Sequence, residues 1–389
     1  MAPLHPTVRK LGWVSLLNDA ASEMAYPLLP AFLATLGATP LTLGALEGFA
    51  EATAALVKVI SGRAADRTPF KKPLIAFGYT VSTLARPFIA LATTAFQIIV
   101  LRVIDRLGKG VRGAPRDAAI AAVTPPEDRG HAFGFHQGMD HWGAVIGPLL
   151  AAALLSVPGI ALRQVFLFTI VPGLVCLILT LLIDVPEPQA SVSPSSHGAH
   201  PPAERLGSHY WRFLGAQSLF ALAASSDTFL LLRAQDFGIA LPSIALLWAV
   251  HNAIRALFSR WGGRRSDRLG RKRSLLAGWT LYALTYAGFA VASSPPMLVV
   301  LFLTYAGFFA LTEGAEKAFI ADLSTTGNRG VAFGISQAQS GALLLVSNLL
   351  MGFVWKHSGA EVAFAMCSLL SLAATAVLFA AVPEPSRSA

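Results

Sequence analysis

The residues of this sequence that are best suited to do chemistry are ionisable side chains that lie within long apolar stretches. Asp19 and Glu23 are four residues apart, as are His136 and Asp140, so each pair would share one face of a helix. An ionisable group in an apolar surrounding is costly to keep charged and is a candidate to carry protons. The candidates for proton coupling or for lining a cavity are Asp19, Glu23, Asp105, Arg106, Arg112, Arg116, His136, Asp140, Glu313, Glu316 and Lys317.

The densest charge lies around residue 105. Asp105, Lys109, Arg112 and Arg116 recur at helical intervals and predict a single charged stripe. Because lipid cannot solvate such a stripe, we expect it to face a cavity or to pair with acids on other helices. Its cations favour an anionic or zwitterionic solute, whereas the acids near the amino terminus favour a cation, so the sequence leaves the substrate class open.

Charge is scarce in the chain as a whole. Of its 389 residues 54% are hydrophobic and only 13% are charged, against about 25% charged in soluble proteins. This composition excludes a disordered chain and an ordinary soluble enzyme, and two cysteines exclude a disulfide scaffold. We find no nucleophile–base constellation and no metal-ligand spacing, so we expect no enzyme activity, no cofactor and no metal site. The remaining class is a multi-pass membrane protein.

Twelve segments are long and apolar enough to cross a bilayer as helices. Lys and Arg concentrate in the loops on one side, which predicts that both termini are cytoplasmic. The net charge of +9 is then explained by topology, and we expect no nucleic-acid partner. A hydropathy window alone is expected to miss the fourth and tenth spans because of their charges. The predicted spans are 10–36, 41–62, 72–94, 96–118, 129–157, 161–184, 210–235, 241–261, 272–293, 296–318, 329–356 and 361–381.

The two halves of the sequence resemble each other. Gly62, Asp66 and Arg67 of one loop recur 201 residues later, since 267 − 66 = 201, and each half closes on Val-Pro-Glu-Pro. We therefore predict an amino-terminal bundle over 1–184, a cytoplasmic linker over 185–209 rich in Pro and Ser, and a carboxy-terminal bundle over 210–389. A parallel repeat of this kind suits alternating access, in which two bundles rock around a substrate.

These residues resemble the major facilitator superfamily of secondary transporters, and the resemblance covers essentially the whole chain. The family's loop signature, G-x-x-x-D-R/K-x-G-R-R/K, is matched fully in the second half, whereas the first copy has Pro69 and Phe70 at the later Gly and Arg positions. The resemblance implies an all-α membrane protein with twelve transmembrane helices in two six-helix bundles. It also implies a gating role for Gly62, Asp66, Arg67, Gly263, Asp267, Arg268, Gly270 and Arg271.

The fifth predicted span is similar to the superfamily's antiporter signature, G-x8-G-x3-G-P-x2-G-G. Gly134, Gly143, Gly147 and Pro148 match it, and Ala-Ala replaces the final glycines. This resemblance implies proton-coupled export, here of a small organic solute across a bacterial inner membrane by a monomer in the lipid bilayer. Two alternatives stay open: a proton symporter that imports a metabolite, and a lipid flippase on the same scaffold.

Overall fold

The computed structural model describes residues 4–67, 71–125, 128–183, 206–325 and 328–383. Besides the helices given below, a 3-10 turn at Ile89–Leu91 follows the third predicted span's helix. The first half contains α1 (Pro6–Ala25), α2 (Leu29–Thr35), α3 (Pro40–Arg67), α4 (Lys71–Phe88), α5 (Ala95–Ala122), α6 (Arg129–Leu155), α7 (Leu162–Phe168) and α8 (Ile170–Leu181). The second half contains α9 (Ser208–Ala223), α10 (Thr228–Asp236), α11 (Leu241–Leu269), α12 (Arg271–Val291), α13 (Pro295–Asp322), α14 (Arg329–Ser358) and α15 (Ala360–Ala381).

The predicted all-α fold is confirmed. Nine of the twelve predicted spans correspond to a single helix, and the first, sixth and seventh each correspond to two helices in series. In the first span a 3-10 turn at Tyr26–Leu28 separates α1 from α2, where Pro27 and Pro30 remove two backbone donors. In the seventh span the segment 224–227 is not helical.

Eight of the described helices are long and apolar enough to cross a membrane by length and composition alone. The fourth predicted span, α5, fails this test as expected because of its charges. The expectation for the tenth span was wrong: Pro295–Asp322 passes, because its charged residues cluster in the last third of α13 and leave a long apolar window before them.

The chain packs into two compact units that do not follow the repeat boundary. Unit 1 comprises Met1–Ala38, Phe49–Pro194 and Gly238–Ala253, and unit 2 comprises Thr39–Gly48, Ser195–Phe237 and Ile254–Ala389. The start of α3 therefore packs with second-half helices, and the start of α11 packs with first-half helices. The predicted linker 185–209 lies almost entirely outside the described residues, so its role stays a prediction.

Each unit is built around a few extensive helix contacts. In unit 1, α1 packs along α6 and α8, and α4 packs along α5 and α8. In unit 2, α12 packs along α13 and α15, while α9 packs against α14 and α15. Unit 1 contains a cluster of fully buried apolar side chains that includes Val8, Leu11, Tyr79 and Ile120.

Glycine permits the closest helix approach in unit 2. At Gly262 on α11, an added Cβ would overlap the backbone carbonyl of Ala310 on α13. Such small residues let membrane helices pack backbone to backbone. A few residues later Gly270, with φ at 99°, forms the one-residue connection between α11 and α12, a conformation that other residues rarely adopt.

We expect Gly262→Ala to lower the thermal stability of the detergent-purified protein, because the new methyl group must push α11 away from Ala310, at a cost of about 1–3 kcal/mol. The matched control is Gly215→Ala on α9, where an added Cβ meets nothing within 4 Å. Alanine should be neutral or stabilising there. Equal melting temperatures for the two variants would contradict the close approach of α11 and α13.

Candidate functional site

The predicted glycine motif of α6 lies directly against the acidic face of α1. An added Cβ at Gly143 would overlap the carbonyl oxygen of Leu16 and lie 3.0 Å from Asp19 Cβ. An added Cβ at Gly147 would lie 3.0 Å from Glu23 Cβ. The four-residue spacing of the glycines thus matches the four-residue spacing of the acids, and the absence of side chains on α6 brings its backbone against this turn of α1.

The other two motif residues do not pack in this way. Gly134 has open space where its Cβ would be, so it is not a packing glycine in unit 1. Pro148 lies inside α6, where its ring removes one backbone hydrogen bond and crowds the carbonyl of Ala144, which favours a bend in the preceding turn.

The two acids on α1 are partly exposed, and their hydrogen bonds come from neutral donors. Asn18 Nδ2 donates to Asp19 Oδ1 at 2.9 Å. Trp248 Nε1 on α11 donates to Glu23 Oε2 at 2.7 Å. Asp19 is also within electrostatic reach of Asp140, Lys109 and Arg112, so the acids of α1 face both an acid of α6 and cations of α5.

The predicted His136–Asp140 pair is present on α6. His136 Nδ1 lies 3.7 Å from Asp140 Oδ2, and the other carboxylate oxygen of Asp140 accepts a hydrogen bond from Ser15 on α1. His136 is buried, whereas Asp140 is partly exposed. The structure therefore brings Asp19, Glu23, His136 and Asp140 together at the α1–α6 contact.

Asp105, in contrast, is paired with two arginines. Arg86 on α4 makes a 2.9 Å ion pair with it, and Arg102 lies 3.5 Å from its other oxygen. Arg86 Nη1 and Nη2 also donate to the backbone oxygen and the side-chain oxygen of Asn18. All four of these residues are buried, and the sequence analysis missed Arg86 because it is a single cation in an otherwise apolar span.

The cations of α5 are distributed among several partners. Arg106 lies 3.4 Å from Glu51 on α3. Arg112 donates to Ser82 Oγ at 2.9 Å and lies over the Tyr79 ring at 4.6 Å. Further along the helix, Arg116 pairs with its neighbour, Asp117, at 3.0 Å.

Lys109 differs from the arginines of this stripe because its side chain is exposed. It is within electrostatic reach of Arg106, Glu51 and Asp19. Lys109 thus places an accessible ammonium group beside the acids of α1 and α3, while Arg106 and Arg112 hold α5 to α3 and α4.

In unit 2 the predicted acids of α13 have partners that the sequence analysis missed. Arg255 on α11 pairs with Glu313 at 2.5 Å, and its guanidinium lies 4.0 Å from the Phe309 ring centre. Gln217 on α9 donates to Glu316 Oε1 at 2.5 Å. Lys317 is exposed and within electrostatic reach of Glu316.

The break between α9 and α10 forms a second polar centre in unit 2. The unwound backbone is held by side chains: Tyr282 OH accepts from Ser225 N, and Asn348 Oδ1 accepts from Ser226 N. Asp227, at the end of the break, accepts a 2.7 Å hydrogen bond from Tyr305 OH. A polar sequence, Ser-Ser-Asp, inside an apolar span was the available signal for this feature.

The loop residues are only partly described. Gly62, Asp66 and Arg67 end α3, and Gly263 and Asp267 lie in α11, but their side chains lie outside the described residues. Arg268 is exposed. In the second loop Arg271, at the start of α12, forms an ion pair with Asp322 and donates to the Ala318 carbonyl at 2.7 Å. This contact ties the start of α12 to the end of α13.

Comparison with protein families matches the Major Facilitator Superfamily model to residues 11–232 and again to residues 215–389. This chain belongs to the Major Facilitator Superfamily. An uncharacterised superfamily transporter of Methanocaldococcus jannaschii is 30% identical over 95% of this chain and 93% of its own length. The paired match explains the internal repeat, because each half of the chain aligns with the same family model.

Other superfamily members are similar over part of the chain or in fold. The multidrug resistance protein MdtH of Photorhabdus laumondii is 32% identical over 34% of this chain and 33% of its own length. The crystal structure of a D-xylose-proton symporter superposes with a TM-score of 0.76, covering 97% of both chains at 16% identity. The protein is thus a multi-pass membrane transporter with the superfamily fold, and the family binds small-molecule substrates.

The glycine contact predicts that a bulky side chain is harmful at one position of α6 and harmless at another. Gly143→Val should separate α1 from α6, lower the melting temperature, and abolish transport, because the new side chain meets the Leu16 carbonyl and Asp19. Gly134→Val is the control, since its Cβ would meet open space. Loss of stability in both variants, or in neither, would contradict the contact.

The arginine network predicts a strong dependence of stability on Arg86. Arg86→Met should lower the free energy of unfolding by about 3–5 kcal/mol, because it leaves a buried carboxylate and Asn18 with fewer donors. Adding Asp105→Asn should restore part of the loss, because the uncompensated charge is removed with its partner. Thermal unfolding in detergent measures both, and a double variant that is additive would count against the pair.

Proposed function

We propose that this transporter exports a small organic solute in exchange for protons, and that Asp19, Glu23 and Asp140 carry the protons. The observation that supports this best is the seating of Gly143 and Gly147 against the turn of α1 that bears Asp19 and Glu23. The glycines belong to the antiporter-like signature of α6. The signature therefore meets the acids that proton exchange would require.

The hydrogen-bond partners divide the acids into two groups. Asp105 and Glu51 pair with arginine, which stabilises the charged carboxylate directly and holds helices together. Asp19, Glu23 and Asp140 accept from the neutral donors Asn18, Trp248 and Ser15. Such donors stabilise a negative charge less strongly than arginine does. Proton binding to these three acids also breaks no ion pair with arginine.

His136 extends this arrangement. Its Nδ1 faces Asp140 across 3.7 Å, and a histidine beside a carboxylate can pass a proton to it. We place His136 and Asp140 on the path of the proton and Asp105, Arg86 and Arg102 in the structural framework.

The direction of transport is supported by one further point. MdtH, a multidrug resistance protein, is similar over a third of this chain. The proposed orientation has both termini in the cytoplasm of a bacterial inner membrane, because the basic residues lie in loops on one side. We also propose that the protein is a monomer and that a linker over 185–209 joins one bundle over 1–184 to another over 210–389.

The accessible charges suit a solute that carries charge of its own. In unit 1, Lys109 is exposed, and the partly exposed acids of α1 accept hydrogen bonds from neutral donors. In unit 2, the partly exposed Arg255–Glu313 pair lies beside Phe309. We assign the remaining site residues, Arg106, Arg112, Arg116, Glu316 and Lys317, to helix packing or to the rim of the substrate path.

The gating role of the loops rests on one described contact. Arg271 joins the start of α12 to Asp322 and Ala318 at the end of α13, as a charged latch between helix ends would. We propose the same role for Gly62, Asp66, Arg67, Gly263, Asp267, Arg268 and Gly270.

The proposal is tested by solute uptake into inverted membrane vesicles under an imposed pH gradient, after a thermal-shift screen of the purified protein against a solute library. Asp140→Asn should lose uphill uptake by tenfold or more while keeping exchange down a gradient, because only the proton step is removed. The control is Asp117→Asn, a half-exposed acid that pairs with its neighbour, Arg116.

Two outcomes would change the assignment. Full uphill uptake by a protein that carries Asp19→Asn, Glu23→Gln and Asp140→Asn together would overturn the proton-carrying role of these acids. Uptake into right-side-out vesicles, driven by protons entering with the solute, would identify a symporter that imports a metabolite instead of an exporter.

A further inference from the structure

Trp248 joins two helices that belong to different halves of the sequence. It lies on α11, in the second half, and its indole N–H donates to Glu23 Oε2 on α1 at 2.7 Å. Both residues belong to unit 1. Trp248 is 3% exposed, so the indole N–H donor is shielded from water.

The indole packs against two other rings. His251, one turn further along α11, stacks on it with ring centres 5.0 Å apart and planes 6° apart. Tyr26, at the end of α1, lies 5.2 Å away. These contacts direct the indole N–H at Glu23, and they do not depend on the charge of the carboxylate.

The repeat contains a related contact in unit 2. There Ser226 Oγ, between α9 and α10, donates to Glu47 Oε2 on α3 at 3.3 Å. Trp248 follows Glu47 by 201 residues (248 − 47 = 201), the same offset as the loop signatures. In both units the first span of one half thus meets the second span of the other half through a carboxylate, with the acid and the donor exchanged.

We infer that Trp248 is a positioning residue that makes the contact between α1 and α11 depend on the charge of Glu23. The inference rests on the proposed proton-carrying role of Glu23. An ionised carboxylate accepts the indole N–H in a charge-assisted hydrogen bond, which is about twice as strong as a neutral one. Proton binding to Glu23 therefore loosens α11 from α1, and proton release draws the two helices together.

The other groups that face Glu23 set the background for this dependence. On its own helix Asp19 opposes the charge of Glu23, the cations of α5 favour it, and Gly147 of α6 packs against it. On α11, His251 is the titratable neighbour of the indole. These groups are Asp19, Arg106, Lys109 and His251. Removing the indole N–H leaves all of them in place, so a Trp248 variant isolates the hydrogen bond.

The test measures the distance between α2 and α11 without needing a substrate. Spin labels are placed at Thr35→Cys and Ser243→Cys, both exposed, after Cys176 and Cys367 are replaced by alanine. Double electron–electron resonance then gives the distribution of distances between the two labels in lipid nanodiscs, from mildly alkaline to mildly acidic pH. We expect the ratio of short to long distances to fall roughly tenfold as the pH is lowered.

Two variants separate the hydrogen bond from the fold. Glu23→Gln should hold the ratio near its acidic value at every pH, and Trp248→Phe, which keeps a ring between Tyr26 and His251, should do the same. Because both remove one interaction, the double variant should be no more open than either single variant. Trp261→Phe, an exposed position at the other end of α11, should keep the full pH dependence.

The outcomes distinguish this inference from the proposed function. A pH-dependent distance that survives Trp248→Phe in a monodisperse protein overturns the role of Trp248, as does a wild-type distance that ignores pH. If uphill solute uptake stays intact in those cases, proton-coupled transport stands without this device. If Glu23→Gln keeps both the pH-dependent distance and uphill uptake, Glu23 carries no proton and both statements about it fail.

Discussion

The arrangement of unit 1 depends on the cost of keeping charge away from water. Arg86 illustrates how that cost is met, because its guanidinium is shared between Asp105 on α5 and two oxygens of Asn18 on α1. One buried cation thereby connects three helices. Asn18 in turn donates to Asp19, so the orientation of a partly exposed acid is linked through hydrogen bonds to a fully buried ion pair.

The same constraint separates the charges that hold the helices from those that can react. Asp105 and Glu51 form ion pairs with arginine, and breaking such pairs would leave an uncompensated charge in an apolar surrounding. Asp19, Glu23 and Asp140 instead accept hydrogen bonds from neutral donors. A transporter needs both kinds of site, since its framework must keep its charges while its coupling residues must change theirs.

The helical fold could be predicted from the sequence because its signals are local or repeated. The apolar length of the spans, the loop signatures and the 201-residue offset can each be recognised in the sequence without knowing how the helices pack. The four-residue spacing of Asp19 and Glu23 also predicted their shared face, which the contacts with Gly143 and Gly147 confirm.

Partners on distant helices could not be predicted in this way. Arg86, Arg255 and Trp248 give no motif, and their importance follows only from which acids they reach. The fate of Asp105 shows the consequence: a candidate to carry protons by sequence is held by two arginines in the fold. Unit membership was equally hidden, because α3 and α11 look like ordinary spans until their first turns are seen to pack with the other half.

The glycine contact has a mechanical consequence for α1. On the α6 side the surface at Gly143 and Gly147 is bare backbone, so few side chains interlock there to fix α1 in one register. A helix that packs on a surface without side chains can slide or turn by a small amount without forcing neighbouring rotamers to change. This surface faces the turn of α1 that carries Asp19 and Glu23, so a small displacement of α1 changes what surrounds these two carboxylates.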